Sequence, residues 1–61
     1  MLVKEFVIYD KGNTLYEVRD TESKGFLLMT GDKNQVRVRY GNMEVCNFEI
    51  ISKTRVVLKV R

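Results

Sequence analysis

Apolar and polar residues alternate along most of this chain, with the period of two that is typical of β-strands. Residues 36–40 are the clearest example, because two valines and a tyrosine alternate there with Arg37 and Arg39. Proline is absent, and no stretch has a convincing helical period. The pattern therefore predicts strands at residues 2–9, 14–20, 26–30, 36–40, 43–51 and 55–60.

The fifth of these predicted strands changes its phase partway along. Val45 lies in the register of the first residues of the strand, whereas Phe48 and Ile50 lie in the opposite register. A strand with a period of two cannot change phase unless it bulges or bends. We therefore expect a bend at Cys46 and Asn47, with Cys46 buried there as a small apolar side chain.

Short polar turns separate the predicted strands, and Gly41-Asn42 is the tightest of them. Successive short turns predict that each strand pairs with the next. The expected fold class is all-β, a small five- or six-stranded antiparallel meander that forms a curled sheet or an SH3-like barrel. Residues 1–61 are expected to form a single all-β domain of this kind.

The chain is short for a protein that depends on its hydrophobic core alone. A chain of 61 residues buries only about 60% of its unfolded surface, and such domains often need disulfides, metals or oligomerisation. One cysteine cannot form an intramolecular disulfide, and the absence of histidine leaves few ligands for zinc. We therefore expect a homodimer.

The residue types that most enzymes use are scarce in this sequence. Histidine is absent, and the four glycines lie singly at turns rather than in a phosphate-binding loop. Carboxylates at Asp10, Glu17 and Asp20 leave a metal-assisted hydrolase as a further alternative. We expect a protein that is not an enzyme, with no catalytic residues, no cofactor and no metal site.

The basic residues are concentrated in the second half of the chain. Residues 1–31 carry a net charge of −1 and residues 32–61 a net charge of +4, which together give the overall +3. In a meander, strands 36–40 and 55–60 both flank strand 43–51, so their outward side chains share one face. This face is either a surface that binds nucleic acid, or a solvated surface or the rim of a protein contact. Its basic residues are Arg37, Arg39, Arg55, Lys59 and Arg61.

A protein-binding module is the function that the sequence favours. Such a module binds by strand addition along an open sheet edge, or through an apolar residue within a charged rim, as Val57 would be. We expect an inhibitor, adaptor or regulatory subunit that modulates another protein, and the small size favours a phage or mobile-element origin. Nucleic-acid binding without strong sequence preference is the alternative. The candidate partner-binding residues are Arg37, Arg39, Tyr40, Arg55, Val57, Lys59 and Arg61.

The N-terminal residues do not resemble an export signal, because they lack a basic region followed by an uninterrupted apolar run. No apolar run approaches the length of a membrane span. A single thiol is typical of a reducing compartment. We therefore expect a complete cytoplasmic protein that does not associate with a membrane.

Overall fold

The computed structural model describes residues 1–22 and 24–61. These residues form four strands and two α-helices, and the first α-helix continues directly into a short 3₁₀ helix. The elements are α1 (Val3–Phe6), the 3₁₀ helix (Val7–Tyr9), β1 (Leu15–Asp20), β2 (Phe26–Gly31), α2 (Lys33–Tyr40), β3 (Val45–Ser52) and β4 (Arg55–Val60).

The four strands form one mixed sheet in the order β2-β1-β4-β3. β1 pairs antiparallel with β2 and β3 pairs antiparallel with β4, whereas the central strands β1 and β4 run parallel. Parallel neighbours need a crossover connection, and α2 lies within it. The small β-rich fold agrees with the sequence. The predicted meander of five or six strands is wrong, and the described residues do not close into a barrel.

The fourth predicted strand is helical and forms most of α2. The Gln35 backbone N–H donates to Asp32 Oδ1 at 2.9 Å, and the Asp32 backbone N–H donates to Gln35 Oε1 at 2.9 Å. This reciprocal pair is a capping box, which starts a helix by satisfying backbone donors that have no partner within it. Val36 is buried and Tyr40, four residues later, packs against the core, whereas Val38 is 79% exposed.

The first predicted strand is also helical, and it forms α1 and the 3₁₀ helix. Val3 and Val7, four residues apart, are both buried on one side of this segment. The Leu2 backbone N–H donates to Glu5 Oε1 at 2.7 Å, which satisfies one of the donors at the start of α1. Leu2 also forms an isolated β-bridge to Glu44. The segment therefore covers the core instead of extending the sheet.

The core lies between the central strands and the two helices. Tyr16 and Val18 of β1 and Leu58 and Val60 of β4 point towards the helices, which confirms the predicted inward register of β4. Successive side chains of a strand face opposite ways, so the alternate residues point to the other side of the sheet. We call these two sides the helix face and the open face. The buried residues are Val3, Val7, Tyr16, Val18, Val36, Leu58 and Val60.

The predicted bend in β3 is confirmed. The register of β3 against β4 shifts between Val45 and Asn47, so Cys46 is the extra residue of a bulge. Beyond the bulge, Phe48 pairs with Leu58 and therefore lies on the helix face. The expected burial of Cys46 is wrong: its side chain is exposed, because β3 lies at the edge of the sheet.

Candidate functional site

The basic residues that were expected to share one face lie on two sides of the sheet. Arg37 and Arg39 belong to α2, which packs on the helix face. Arg55 and Lys59 belong to β4 and point to the open face, because they alternate with the buried Leu58 and its neighbours. The single basic face is therefore wrong, since it required residues 36–40 to form a strand beside β3.

On the open face, basic side chains lie next to carboxylates. Glu17 Oε1 is 2.9 Å from Arg19 Nη2, and Glu17 Oε2 is 3.5 Å from Arg55 Nη2. Val57 is half-buried and pairs in the sheet with Glu17 on one side and Glu49 on the other. The expected apolar spot within a basic rim is thus an apolar spot with charges of both signs around it.

The structure brings some of the predicted partner-binding residues together and separates others. Arg55, Val57 and Lys59 share the open face, as expected for alternate residues of β4. Arg61 is exposed and directly follows β4. Tyr40 packs from α2 against the core, so its ring is part of the fold and lies on the other side of the sheet.

An exposed apolar surface that the sequence did not predict lies at β3. Phe48 and Ile50 point to the helix face but are 50% and 67% exposed, because α2 packs mainly on β1 and β2. The Phe6 ring centroid lies 5.1 Å from that of Phe48, and Tyr9 in the 3₁₀ helix is 90% exposed. Phe6, Tyr9 and Phe48 line a groove of about 400 Å³. We call Phe6, Tyr9, Phe48 and Ile50 the edge patch.

The outer edge of β3 is open beyond its first residue. Within the described residues, β3 pairs only with β4, and the Val45 backbone N–H donates to the Met1 carbonyl oxygen at 2.7 Å. An edge of this kind presents backbone donors and acceptors that a further strand can use. Glu49 is the single charged residue of β3. Phe48 and Ile50, which follow the bulge, were a sequence signal for this surface. The predicted meander concealed it, because it placed β3 between two other strands and not at an edge.

Tyr16 is a buried tyrosine whose pKa is shifted. Burial and, to a smaller extent, the neighbouring Asp10 carboxylate raise the pKa of Tyr16 to about 12, whereas the Thr14 hydroxyl acts in the opposite direction. Asp10 Oδ1 accepts a hydrogen bond from the Gly12 backbone N–H at 2.9 Å, and Asp10 Oδ2 is buried without a hydrogen-bond partner of normal geometry among the described residues. The folded protein therefore favours the neutral Tyr16 hydroxyl.

The carboxylates considered for a hydrolase are not assembled into one site. Glu17 lies on the open face between two arginines, whereas Asp10 lies beside Tyr16, whose ring is in the core on the helix face. In the part of the chain that the structure describes, no group of three or more His, Cys, Asp or Glu residues is placed to hold a metal ion.

The class of protein that these observations define is a small β-rich domain with a mixed sheet, open edges and an exposed apolar patch beside one edge. Comparisons with protein-family models, with curated proteins and with solved structures found no match for this chain. Among the described residues, no helix is long and apolar enough to cross a membrane. Its function is therefore inferred from the geometry of the site.

Proposed function

We propose that this protein is a non-enzymatic binding module that binds an extended segment of another protein along β3. The observation that carries the proposal is an open strand edge with the edge patch directly beside it. In strand addition, the backbone hydrogen bonds of the edge provide affinity, and contacts with alternate side chains of the added segment provide specificity. Binding of this kind modulates the partner by holding its segment in an extended conformation.

The two faces of β3 define the chemistry of the partner segment. On the helix face, side chains of the segment lie beside Phe48 and Ile50, so we expect apolar residues there. On the open face, Glu49 is exposed, so we expect a lysine or arginine at the facing position. The matching partner is an extended segment that alternates apolar side chains with at least one basic side chain.

Nucleic-acid binding receives less support from the structure. Binding to a phosphate backbone depends on basic side chains that are clustered on one surface. Arg37 and Arg39 lie on α2, away from the basic residues of β4. In addition, Arg55 lies within 3.5 Å of the Glu17 carboxylate, which reduces the positive potential of the open face. We therefore propose protein and not nucleic acid as the partner.

Peptide selection tests this proposal. Peptides selected from a display library on the wild-type protein are titrated against wild type, Ile50→Lys and Val38→Lys. Both substituted residues are aliphatic and exposed, at 67% and 79%, but Val38 lies on α2. We expect Ile50→Lys to weaken binding about 10-fold or more, because burial of one aliphatic side chain contributes roughly 1.5–3 kcal/mol. Val38→Lys is expected to leave binding unchanged.

Two results would contradict the proposal: a library that yields no binding peptide, or selected peptides that bind wild type and Ile50→Lys equally. Titrations with single- and double-stranded DNA and RNA test the alternative function. Nucleic-acid binding that weakens steeply between about 50 and 200 mM salt, and that Arg37→Ala or Arg55→Ala reduces, would favour the alternative function.

We also propose that the protein forms a homodimer through its other open edge, β2. This strand contains no charged residue, and Phe26 at its start is 66% exposed. Antiparallel pairing of two β2 strands places no like charges next to each other. The same pairing of two β3 strands would bring two Glu49 carboxylates onto one face. We therefore assign a second copy of the chain to β2 and the partner protein to β3.

A further inference from the structure

A second candidate site lies between the N-terminal helical segment, which consists of α1 and the 3₁₀ helix, and α2, where the structure contains a cavity of about 350 Å³. Its lining combines side chains from two parts of the sequence that are far apart, so residue spacing alone does not reveal it. The basic lining residues are Lys4, Lys33 and Arg37, the other polar ones are Glu5 and Asn34, and the apolar ones are Val7 and Ile8.

The cavity lining has an excess of positive charge. Three cations and one carboxylate give a net charge of +2. Within residues 1–22 and 24–61, none of the three cations forms an ion pair with a carboxylate. The Glu5 carboxylate accepts a hydrogen bond from the Leu2 backbone N–H at 2.7 Å, which directs Oε1 to the start of α1. A concave site with this charge attracts anions more strongly than a flat surface does.

Two of the cations are positioned by neighbouring groups and keep further donors for a ligand. Lys33 Nζ donates to the Asp10 carbonyl oxygen at 2.5 Å, and an ammonium group has three donors in all. Arg37 Nη2 lies 3.4 Å from Asn34 Oδ1, a long contact that occupies one donor of the guanidinium group. Both groups can therefore donate to several oxygen atoms of one anion.

One side of the cavity is apolar. Val7 is buried beneath it, and Ile8 is 68% exposed. A fully hydrated ion gains nothing from contact with an isoleucine side chain, whereas an organic group gains by removing that side chain from water. The cavity therefore suits a ligand that carries an anionic group on an apolar or aromatic body.

We propose that this cavity binds a small organic phosphate monoester, a site separate from the β3 edge that carries the proposed function. Near neutral pH, a phosphate monoester has a charge of about −1.5 to −2, which matches the charge of the lining. Its oxygens accept hydrogen bonds from Arg37 and the lysines, and its organic body contacts Ile8. The cavity volume lies within the range of small-molecule sites, about 300–1,000 Å³.

The probe for this site is phenyl phosphate, titrated by calorimetry into wild type, Arg37→Gln and Arg39→Gln. Both arginines are exposed on α2, but of the two only Arg37 lines the cavity. We expect Arg37→Gln to weaken phenyl phosphate binding about 10-fold or more, because it removes a charge-assisted hydrogen bond. We expect Arg39→Gln to leave it unchanged. Absence of saturable binding to wild type, or equal weakening by both substitutions, would overturn the proposal.

Two further titrations test the class of ligand. Inorganic phosphate is expected to bind more weakly than phenyl phosphate, because it makes no contact with Ile8. Equal affinity for the two would contradict the proposal that the ligand carries an organic group. Lowering the pH from about 7 to about 5 is expected to weaken phenyl phosphate binding, because the second phosphate pKa is about 6. An affinity that does not depend on pH over this range would contradict the proposal that the site binds the doubly charged form of the phosphate.

Phosphate monoesters occur both as soluble molecules and as the headgroup of phosphatidic acid. Sedimentation with phosphatidylcholine vesicles, with and without phosphatidic acid, distinguishes these sources. Vesicle binding that requires both phosphatidic acid and Arg37 assigns the lipid headgroup. Phenyl phosphate binding without vesicle binding assigns a soluble monoester.

Discussion

At the scale of single residues, Tyr16 shows how burial and a neighbouring charge act on one group. The side chain is 4% exposed, and the phenol lies near the Asp10 carboxylate. Burial disfavours the phenolate because it removes water from the charge, and Asp10 disfavours it by repulsion between like charges. Both effects therefore favour the protonated form of Tyr16 in the folded state.

We predict that the protein loses stability between about pH 10 and pH 12. The pKa of Tyr16 is raised from 10.0 to about 12 in the folded state. The contribution of Tyr16 to the free energy of unfolding is therefore complete below pH 10 and is lost as the pH rises towards 12, since the unfolded state releases the proton first. The loss amounts to roughly 2–3 kcal/mol. Denaturant unfolding at several pH values measures it.

Tyr16→Phe is the control for this pH dependence, because phenylalanine keeps the buried ring and cannot ionise. The free energy of unfolding of Tyr16→Phe should therefore fall less than that of the wild type as the pH rises above 10. Parallel pH profiles of wild type and Tyr16→Phe above pH 10 would contradict the interpretation.

At the scale of elements, α2 shows that one residue pattern can specify either of two structures. Val36 and Tyr40 are four residues apart, which places them on one side of a strand and also on one side of a helix. Valine is more common in strands, and the alternating arginines of residues 36–40 reinforced the strand prediction. The local signal for the helix was Asp32 followed three residues later by Gln35, the spacing of a capping box.

We predict that Asp32→Ala lowers the free energy of unfolding by about 1 kcal/mol, within a range of about 0.5–2 kcal/mol for lost helix caps. The substitution removes the acceptor of the Gln35 backbone N–H at 2.9 Å. Asn34→Ala is the matched control, because Asn34 lies in the same turn and makes only a long contact to Arg37. Urea denaturation measures both variants. An Asp32→Ala variant as stable as Asn34→Ala would show that the cap does not stabilise α2.

β3 shows a different limit of prediction from sequence at the element scale. The phase change of its apolar residues was enough to locate the bulge at Cys46, because a strand can change the phase of its alternation only where it bulges or bends. The exposure of Phe48 and Ile50 was not predictable in this way. It depends on which strands α2 covers, and that is a property of the whole chain.

At the scale of the whole molecule, the described residues leave the outer edge of β2 open and that of β3 open beyond Val45, and the two edges differ in charge. The β2 strand contains no charged residue, whereas β3 carries Glu49 and contributes Phe48 and Ile50 to the edge patch. An open edge is a site for pairing with another chain. The two edges are therefore the surfaces to which we assign the proposed self-association and the proposed partner binding.

We predict that Phe26→Lys converts the proposed dimer to a monomer, while Ile50→Lys leaves the proposed dimer intact. The two side chains are equally exposed, at 66% and 67%, so the variants differ in which edge carries the new charge. Sedimentation equilibrium measures the molar mass of each variant. A wild-type monomer would contradict the proposed homodimer, and a dimer disrupted by Ile50→Lys and not by Phe26→Lys would place self-association at β3.

Alternation of apolar and polar residues was sufficient to predict a β-rich chain, the inward orientation of Leu58 and Val60, and the bulge of β3 at Cys46. Each of these depends on alternation between neighbouring residues, which a strand converts directly into sides of a sheet. The three-dimensional structure was needed to show that residues 36–40 form a helix and that β1 pairs with β4 in parallel. It was also needed to show which strands of the sheet α2 covers. The alternation at residues 36–40 fits a strand and a helix equally well, and the parallel pairing and the covered strands depend on contacts between residues distant in the sequence, about which alternation carries no information.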